Sequence, residues 1–187
     1  MTVSYSETLV SSPIGAQGAY PQTLTKGHEG LIGDLQAYVS RSYTNETSAA
    51  IPFGHALIRD GAASGDGAKL PAGASATDIL GIAVDSNTFE INADAKTADG
   101  RVGYPDKEMV NVYSKDAIAL GDAVRLYHTD GASAASDGSY KGRFGKTAAA
   151  GKTFEVTAGA RWLSACAAGG IALLEIDIPG LAVTADT

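Results

Sequence analysis

The sequence contains few of the residues from which catalytic and metal sites are built. Among 187 residues there are one cysteine, Cys166, and three histidines. A single cysteine can form neither an internal disulfide nor a thiolate metal site. Because no base lies near Cys166 in the sequence and free cysteines are commonly buried, we expect a small, unreactive side chain in the core.

The familiar arrangements of catalytic residues are missing as well. His28, His55 and His128 lie too far apart in the sequence for a zinc motif. Residues 145–147 and 151–153 both read Gly-Lys-Thr, but neither triplet has the earlier glycine of a phosphate-binding loop. We therefore predict that the protein is not an enzyme, with no catalytic residue, no metal site and no cofactor.

Long apolar runs and clusters of basic residues are absent too. The run Ile171–Leu174 is far too short to span a bilayer. The start, Met1–Val10, lacks the basic residues and apolar stretch of a secretory signal. The net charge of -7 repels phosphate backbones. We expect a protein that is made in the cytoplasm and binds neither nucleic acid nor a membrane.

Aromatic residues make up only 7% of the chain, whereas glycine occurs 23 times. Such a composition favours an aliphatic core and short strands joined by turns. The candidate strands are Ile51–Arg59, Ile79–Val84, Thr88–Ile91, Met109–Tyr113, Ala123–His128, Phe154–Thr157, Arg161–Cys166 and Ile171–Ile178. Only Leu31–Ser40 and Asp116–Leu120 are candidates for short helices. The pattern predicts an all-β fold with an antiparallel β-sandwich or barrel-like body.

The first part of the chain has no clean periodicity. Glycines and prolines interrupt it every few residues, so it cannot bury much of itself. We predict an extended, mostly irregular N-terminal arm over residues 1–48 and a β-rich body over residues 49–187. The arm would gain order by lying on another surface. Its apolar anchors for that contact would be Tyr5, Tyr20, Leu24, Leu31 and Ile32.

Several strand motifs occur in a characteristic order. They are Ala49–Leu57, Ile79–Val84, Met109–Tyr113, Leu120–Arg125, Ala160–Cys166 and Gly169–Ile176. They include Ile-Pro-Phe-Gly at 51–54, Gly-Ile-Ala at 81–83 and Gly-Asp at 121–122. In the order and spacing of these motifs, residues 30 to 178 resemble the structural cement proteins of tailed bacteriophages.

The resemblance implies a homotrimer on the outer surface of the capsid, at threefold and quasi-threefold positions of the virion. Its partners would be the major capsid protein and other copies of itself. It would tie neighbouring capsid subunits together against the pressure of the packaged DNA.

Besides an unrecognised hydrolase on a β scaffold, two alternatives stay open at this point. One is another virion component, such as a tail-tube or fibre-associated protein. The other is a carbohydrate-binding β-sandwich, which requires exposed aromatic side chains. The single tryptophan, Trp162, lies in an apolar strand and is more typical of a core residue.

Overall fold

The computed structural model of the protein describes residues 27–33, 40–45, 47, 50–61, 67–85, 95–96, 101–105, 107–130 and 140–187. Three of the predicted anchors, Tyr5, Tyr20 and Leu24, lie outside the described residues, as does the candidate strand Thr88–Ile91. No helix in the described part of the chain is long and apolar enough to cross a membrane.

Fourteen strands follow one another in the described part of the chain. They are β1 (Ser40–Asn45), β2 (Ile51–Pro52), β3 (Ala56–Arg59), β4 (Gly67–Lys69), β5 (Ile79–Ile82), β6 (Ala95–Lys96), β7 (Arg101–Pro105), β8 (Lys107–Ser114), β9 (Val124–Tyr127), β10 (Phe144–Gly145), β11 (Thr153–Ala158), β12 (Ala160–Trp162), β13 (Gly170–Asp177) and β14 (Ala182–Ala185). A short 3-10 turn, Ile178–Gly180, lies between β13 and β14.

The strands form two mixed sheets and one small pair. The seven-stranded sheet has the order β12-β13-β8-β10-β9-β11-β14, and the five-stranded sheet has the order β5-β3-β4-β1-β7. The remaining strands, β2 and β6, pair with each other. The pairs β1–β4 and β8–β10 are parallel, and the others are antiparallel. The predicted all-β fold is confirmed, although the pairing is not antiparallel throughout.

The longest pairing joins β8 and β13 in the middle of the seven-stranded sheet. Their register runs from Gly170 opposite Ser114 to Asp177 opposite Lys107. Alternate side chains of β13 are buried, namely Ala172, Leu174 and Ile176. This period of two is the pattern that the sequence Gly-Ile-Ala-Leu-Leu-Glu-Ile-Asp predicts for a strand with one face on a core.

The main core lies between the two sheets. Ala56 of β3 and Ile82 of β5 share a cluster of buried side chains with Val110 and Phe154 of the seven-stranded sheet. Leu57, the neighbour of Ala56, joins a second and smaller cluster instead. Strand β3 therefore buries both of its faces, and a strand buried on both faces shows an apolar run rather than a polar alternation.

The five-stranded sheet is strongly curled. The smaller cluster consists of Tyr43, Ile51, Leu57, Ala68, Leu80 and Ala83, with Leu70 packed against it. The edge strands β5 and β7 come within 8 Å of each other between Cα atoms, yet the sheet order does not join them by hydrogen bonds. The body is therefore a sandwich in which one sheet approaches a barrel without closing.

The segment between β8 and β9 differs from the sequence prediction. The candidate helix Asp116–Leu120 is not helical but consists of bends, a turn and one isolated β-bridge. In that bridge Ile118 pairs with Cys166. Burial of Ile118 in the main core explains the difference, because an extended backbone places its side chain inward and its neighbours outward. Strand β12 also ends at Trp162, before the predicted limit.

Strand β1 lies inside the range predicted as an arm, and yet it is part of the five-stranded sheet. It pairs with β4 on one side and with β7 on the other. The candidate helix Leu31–Ser40 is non-helical at both of its described ends, because Ile32 forms a bridge with Val110 and Ser40 begins β1. The sequence of β1, Ser-Arg-Ser-Tyr-Thr-Asn, is too polar to be recognised as a strand.

Arg125 fastens the C-terminal end of the chain to the seven-stranded sheet. Its side chain is 14% exposed, and that of Asp186 is 11% exposed. The guanidinium donates hydrogen bonds to Asp186 at 3.0 Å and to Glu155 at 2.9 Å. Asp186 also accepts a hydrogen bond from the Thr153 hydroxyl at 2.5 Å. These bonds hold the end of the edge strand β14 in place.

Replacing Asp186 tests this contact. The variant Asp186→Ala should lower the free energy of unfolding by about 2 kcal/mol, because charged hydrogen bonds are lost from a largely buried position. In the control Arg161→Ala the loss should be below about 1 kcal/mol, since exposed ion pairs contribute little; the Arg161 side chain is 71% exposed. Urea denaturation measures both, and equal losses would contradict the assignment.

Candidate functional site

Residues 27–33, which we call the docked segment, lie along one edge of β8. The Gly30 N–H donates to the Asn111 carbonyl at 2.8 Å, and the Asn111 N–H donates to the Leu31 carbonyl at 2.9 Å. The side-chain amide of Asn111 donates to the same Leu31 carbonyl at 3.2 Å. Since β13 occupies the opposite edge of β8 and β10 pairs with β8 only at Ser114, the docked segment lies on the remaining part of that edge. It is joined there by an isolated antiparallel bridge between Ile32 and Val110.

The docked segment is also bonded to the stretch that follows β5 in the other sheet. The carbonyl of Gly30 accepts a hydrogen bond from the Asp85 N–H at 2.9 Å. Gly30 therefore connects the two sheets through its own N–H and C=O groups. In the same contact, Nε2 of His28 lies 2.6 Å from Oδ2 of Asp85, although the His28 side chain is 62% exposed.

No side chain fits at Gly30. Its φ is +78°, a left-handed conformation that costs other residues about 1–2 kcal/mol. A Cβ atom at this position would lie 2.6 Å from Cβ of Phe53 and 3.0 Å from the backbone nitrogen of Gly54. The sequence prediction did not single out Gly30. The regular spacing of Gly27, Gly30 and Gly33 is the signal that could have identified it.

Two of the five predicted anchors belong to the docked segment. Leu31 is 38% exposed, whereas Ile32 is partly buried and packs against the main core. Neighbouring side chains of an extended chain point to opposite sides, which explains the difference. The Leu31 side chain is accessible to another molecule, and the Ile32 side chain helps to hold the docked segment on the body. A contact of either residue with a partner stays a prediction.

His55 lies directly before β3 and is 1% exposed. Nε of Arg143 donates to Nε2 of His55 at 3.2 Å, and the Arg143 guanidinium lies 4.2 Å from the centroid of the Tyr113 ring. Burial, with the positive charge of Arg143 second, lowers the pKa of His55 from 6.5 to about 4. His55 is therefore neutral at pH 7 and serves as a hydrogen-bond acceptor that orients Arg143.

His128 is buried as well and has a packing role. Its ring lies against Phe154 with 4.3 Å between the ring centroids, and its Nδ1 is 2.9 Å from the Thr129 hydroxyl. Burial lowers the pKa of His128. Within the described ranges, no group of three or more His, Cys, Asp or Glu side chains could hold a metal ion.

Trp162 and Cys166 follow each other closely but differ in burial. Trp162 is 4% exposed and belongs to the main core, as the sequence predicts. Its indole N–H donates to the Ala123 carbonyl at 3.3 Å. Cys166 is only partly buried, which corrects the expectation of a fully buried thiol. It lies after β12 has ended, in the stretch that forms the bridge with Ile118.

Comparison with known proteins finds one matching family model and a solved structure of the same fold. The model of a family described as structural cement protein (E217 gp24/Pam3 gp6) matches residues 16–177. A chain from the structure of the capsid of Myoviridae phage XM1 has the same fold, with a TM-score of 0.61 and 19% sequence identity. That likeness covers 84% of this chain and 94% of the other. No curated protein matches the sequence.

The close packing at Gly30 can be tested with a matched pair of variants. Gly30→Ala should release the docked segment but leave both sheets folded, because the new Cβ would overlap Phe53. The Asn111 amide hydrogen should then exchange with solvent about tenfold faster or more. The control is Gly73→Ala, since Gly73 has a φ of +79° and nothing within 4 Å of its Cβ position. Equal exchange rates in the two variants would contradict the packing argument.

His55 makes stability depend on pH in a defined window. In the folded protein its pKa falls from 6.5 to about 4, so between these values the unfolded chain binds a proton that the folded chain does not. The stabilisation is complete above pH 6.5 and is lost as the pH falls towards 4, by about 3 kcal/mol in total.

The variant His55→Gln removes the titrating ring and keeps an acceptor for Arg143. Urea denaturation at pH 7 and at pH 4.5 should show a smaller loss of stability on acidification in this variant than in the wild type. The exposed Ala74→Gln, which changes no titrating group, serves as the control and should resemble the wild type. A wild-type pH dependence in His55→Gln would refute the assignment.

Proposed function

Because the chain belongs to the family of phage structural cement proteins, we propose that it binds the outer surface of the capsid as a homotrimer and stabilises the contacts between neighbouring major capsid subunits. Membership in this family makes it a structural protein of the phage capsid and therefore of the virion. The match over residues 16–177 is the observation that carries the proposal.

A purely structural role, without catalysis, agrees with how the polar side chains of the body are used. His55 orients Arg143, and Arg125 joins Asp186 to the seven-stranded sheet. These groups hold strands together, because their hydrogen bonds are made to other residues of the body. The carbohydrate-binding alternative requires exposed aromatic side chains, and the single tryptophan, Trp162, is in the core as expected.

The docked segment gives the proposed arm a fixed starting point on the body. Hydrogen bonds on two sides hold Gly30 between the sheets, so an arm formed by the residues before Gly27 would start from a defined place on the body. We assign the capsid contact to Tyr5, Tyr20 and Leu24, with Leu31 continuing the contact on the exposed side of the docked segment. A fixed attachment point lowers the entropic cost of ordering an arm on its partner.

In a trimer, modest contacts between each copy and the capsid would be sufficient for firm attachment. Each copy would contribute one arm, and the three arms of a trimer would bind neighbouring capsid subunits at the same time. Once one arm is bound, the others act at a high effective concentration, so the overall affinity exceeds that of a single arm by orders of magnitude. Such a trimer joins subunits that would otherwise separate under internal pressure.

A deletion of residues 1–26 tests the assignment of the arm, because it removes Tyr5, Tyr20 and Leu24 and leaves the docked segment intact. We expect a folded body with the stability of the full-length protein and an affinity for capsids at least about tenfold lower, since several contacts are lost from each copy. Co-sedimentation with purified capsids over a concentration series measures the affinity.

The control for this deletion is a chain in which a glycine- and serine-rich segment of the same length replaces residues 1–26. It should bind as weakly as the deletion variant. Wild-type affinity in either variant would refute the arm contacts while leaving the family assignment intact. Failure of the full-length protein itself to co-sediment would contradict the proposed function.

A further inference from the structure

Two tyrosine rings beside the junction of β8 and β10 are each covered by a basic side chain. The guanidinium of Arg143 lies 4.2 Å from the centroid of the Tyr113 ring. The ammonium group of Lys115 lies 4.6 Å from the centroid of the Tyr140 ring. Both distances are typical of a favourable contact between a cation and an aromatic face. We call the group formed by Arg143, Lys115, Tyr113 and Tyr140 the Arg143 site.

The backbone brings these two contacts together on one surface. The Arg143 N–H donates to the Tyr140 carbonyl at 2.9 Å, so these two residues are the ends of one tight turn. Tyr113 and Lys115 flank Ser114, which is 0% exposed. Since neighbouring residues of an extended chain face opposite sides, Tyr113 and Lys115 share the side opposite to Ser114. Lys115 is exposed there, and Arg143 and Tyr113 are partly exposed.

The cations of the Arg143 site differ from most basic side chains of the protein. In the described part of the chain, the basic side chains that pair with a carboxylate are Arg59, Lys69, Arg125, Lys141, Lys146 and Arg161. Arg143 and Lys115 form no such pair with any described residue, and neither does Lys152, which lies just before β11. Two unpaired cations therefore lie together in the Arg143 site.

Two carboxylates adjoin the Arg143 site, and both are bonded to other groups. Oδ2 of Asp116 accepts hydrogen bonds from two backbone N–H groups of the loop after β10, at 2.8 and 2.9 Å. Oδ1 of Asp130 accepts a hydrogen bond from the Tyr140 N–H at 2.8 Å, and its Oδ2 lies 3.3 Å from the Lys141 ammonium. The Arg143 site thus keeps its positive charge, although the net charge of the whole chain is -7.

Arg143 is held in position while the outer end of its guanidinium stays available. Its Nε donates to Nε2 of His55, a buried and neutral ring that satisfies one N–H group but does not compensate the charge. The Arg143 carbonyl accepts a hydrogen bond from the Tyr127 N–H at 2.9 Å, which fixes the backbone. Within the described residues, neither terminal amino group of the guanidinium has an acceptor.

A guanidinium that is fixed in this way suits a carboxylate. Its two terminal amino groups can donate to both carboxylate oxygens at once, and this parallel pair of charged hydrogen bonds is stronger than bonds between neutral groups. Because Arg143 is already oriented, binding requires little further loss of conformational freedom. A nucleic-acid backbone would need a longer track of basic groups, and the net charge of -7 opposes its approach.

We propose that the Arg143 site binds a carboxylate side chain of the major capsid protein, with the terminal amino groups of Arg143 on its oxygens and the Lys115 ammonium beside them. This inference rests on the proposed function for the identity of the partner, and it adds the chemistry of one contact. The contact gives an acidic protein a local attraction to its partner and fixes the orientation in which the two surfaces meet.

Binding of a free acidic peptide tests the chemistry of the site without the capsid. In an NMR titration at low ionic strength, hexaglutamate should shift the amide resonances of residues 113–116 and 140–143, and hexaglutamine should not. The affinity should fall about tenfold in Arg143→Gln, because charged hydrogen bonds are lost. It should fall less in Arg143→Lys, which keeps the charge but not the planar fork. The control Lys152→Gln removes one charge elsewhere and should bind like the wild type.

Urea denaturation verifies that each variant is folded. If Arg143→Gln is unstable, the exposed Lys115→Gln decides the question, and it should also weaken the binding of hexaglutamate. Wild-type affinity in a folded Arg143→Gln and in Lys115→Gln would overturn the inference. Tighter binding of an oligothymidylate with the same charge as the peptide would overturn it too, since the site would then suit a phosphate backbone.

Cross-linking with a water-soluble carbodiimide tests the partner on decorated capsids, because this reagent joins an amine to a carboxylate only where the two are in contact. Mass spectrometry should find Lys115 linked to an acidic residue of the major capsid protein, with a lower yield in Arg143→Gln. The Lys152 ammonium serves as the internal control and should not be linked to the capsid protein. Links from Lys115 to another copy of this chain alone would overturn the assignment of the partner.

The two proposals fail in different ways. If the wild type co-sediments with capsids but Lys115 is not linked to the capsid protein, the Arg143 contact is wrong and the capsid function stands. If hexaglutamate binds at the Arg143 site but no form of the protein co-sediments, the carboxylate chemistry stands, whereas the proposed function and the assigned partner are contradicted.

Discussion

The packing of the two sheets depends on the backbone of Gly30, whose N–H and C=O groups both form hydrogen bonds. Its N–H bonds to Asn111 in the seven-stranded sheet, and its carbonyl bonds to Asp85 beside the five-stranded sheet. Buried backbone groups need partners, and here a single residue between the sheets supplies one to each of them. The backbone can approach both sheets this closely because Gly30 has no side chain; a Cβ atom would lie 2.6 Å from Phe53.

The proposed function follows from where this contact lies. Strand β8 is paired with β13 along its whole length, and its other edge is shared by β10 and the docked segment. An arm that leaves the body from this place is therefore attached to the most extensively paired strand of the fold.

The sequence predicted best what depends on local alternation. Strand β13 was recognisable because Ala172, Leu174 and Ile176 repeat with a period of two, and Trp162 was correctly placed in the core. Strand β1 was missed because its polar residues carry no such pattern, and its partners β4 and β7 are distant in the chain. The edge strand β14 was missed as well, because it is short and consists of Ala-Val-Thr-Ala.

The candidate site was harder to predict than the fold for a physical reason. The importance of Gly30 arises from Phe53, Asp85 and Asn111, which are brought together only when the two sheets pack. No local sequence pattern predicts that these residues come into contact, although the regular spacing of the glycines in the docked segment indicates close packing. The segment around Ile118 was expected to be helical, and its bridge to Cys166 is likewise a contact between distant residues.

Electron cryomicroscopy of purified capsids mixed with the full-length protein tests the central claim most directly. The account predicts additional density on the outside of the shell at threefold and quasi-threefold positions, with three copies of the sandwich in each feature and their arms extending over neighbouring capsid subunits. Capsids without added density, or density on the inner surface or at the tail vertex alone, would contradict it.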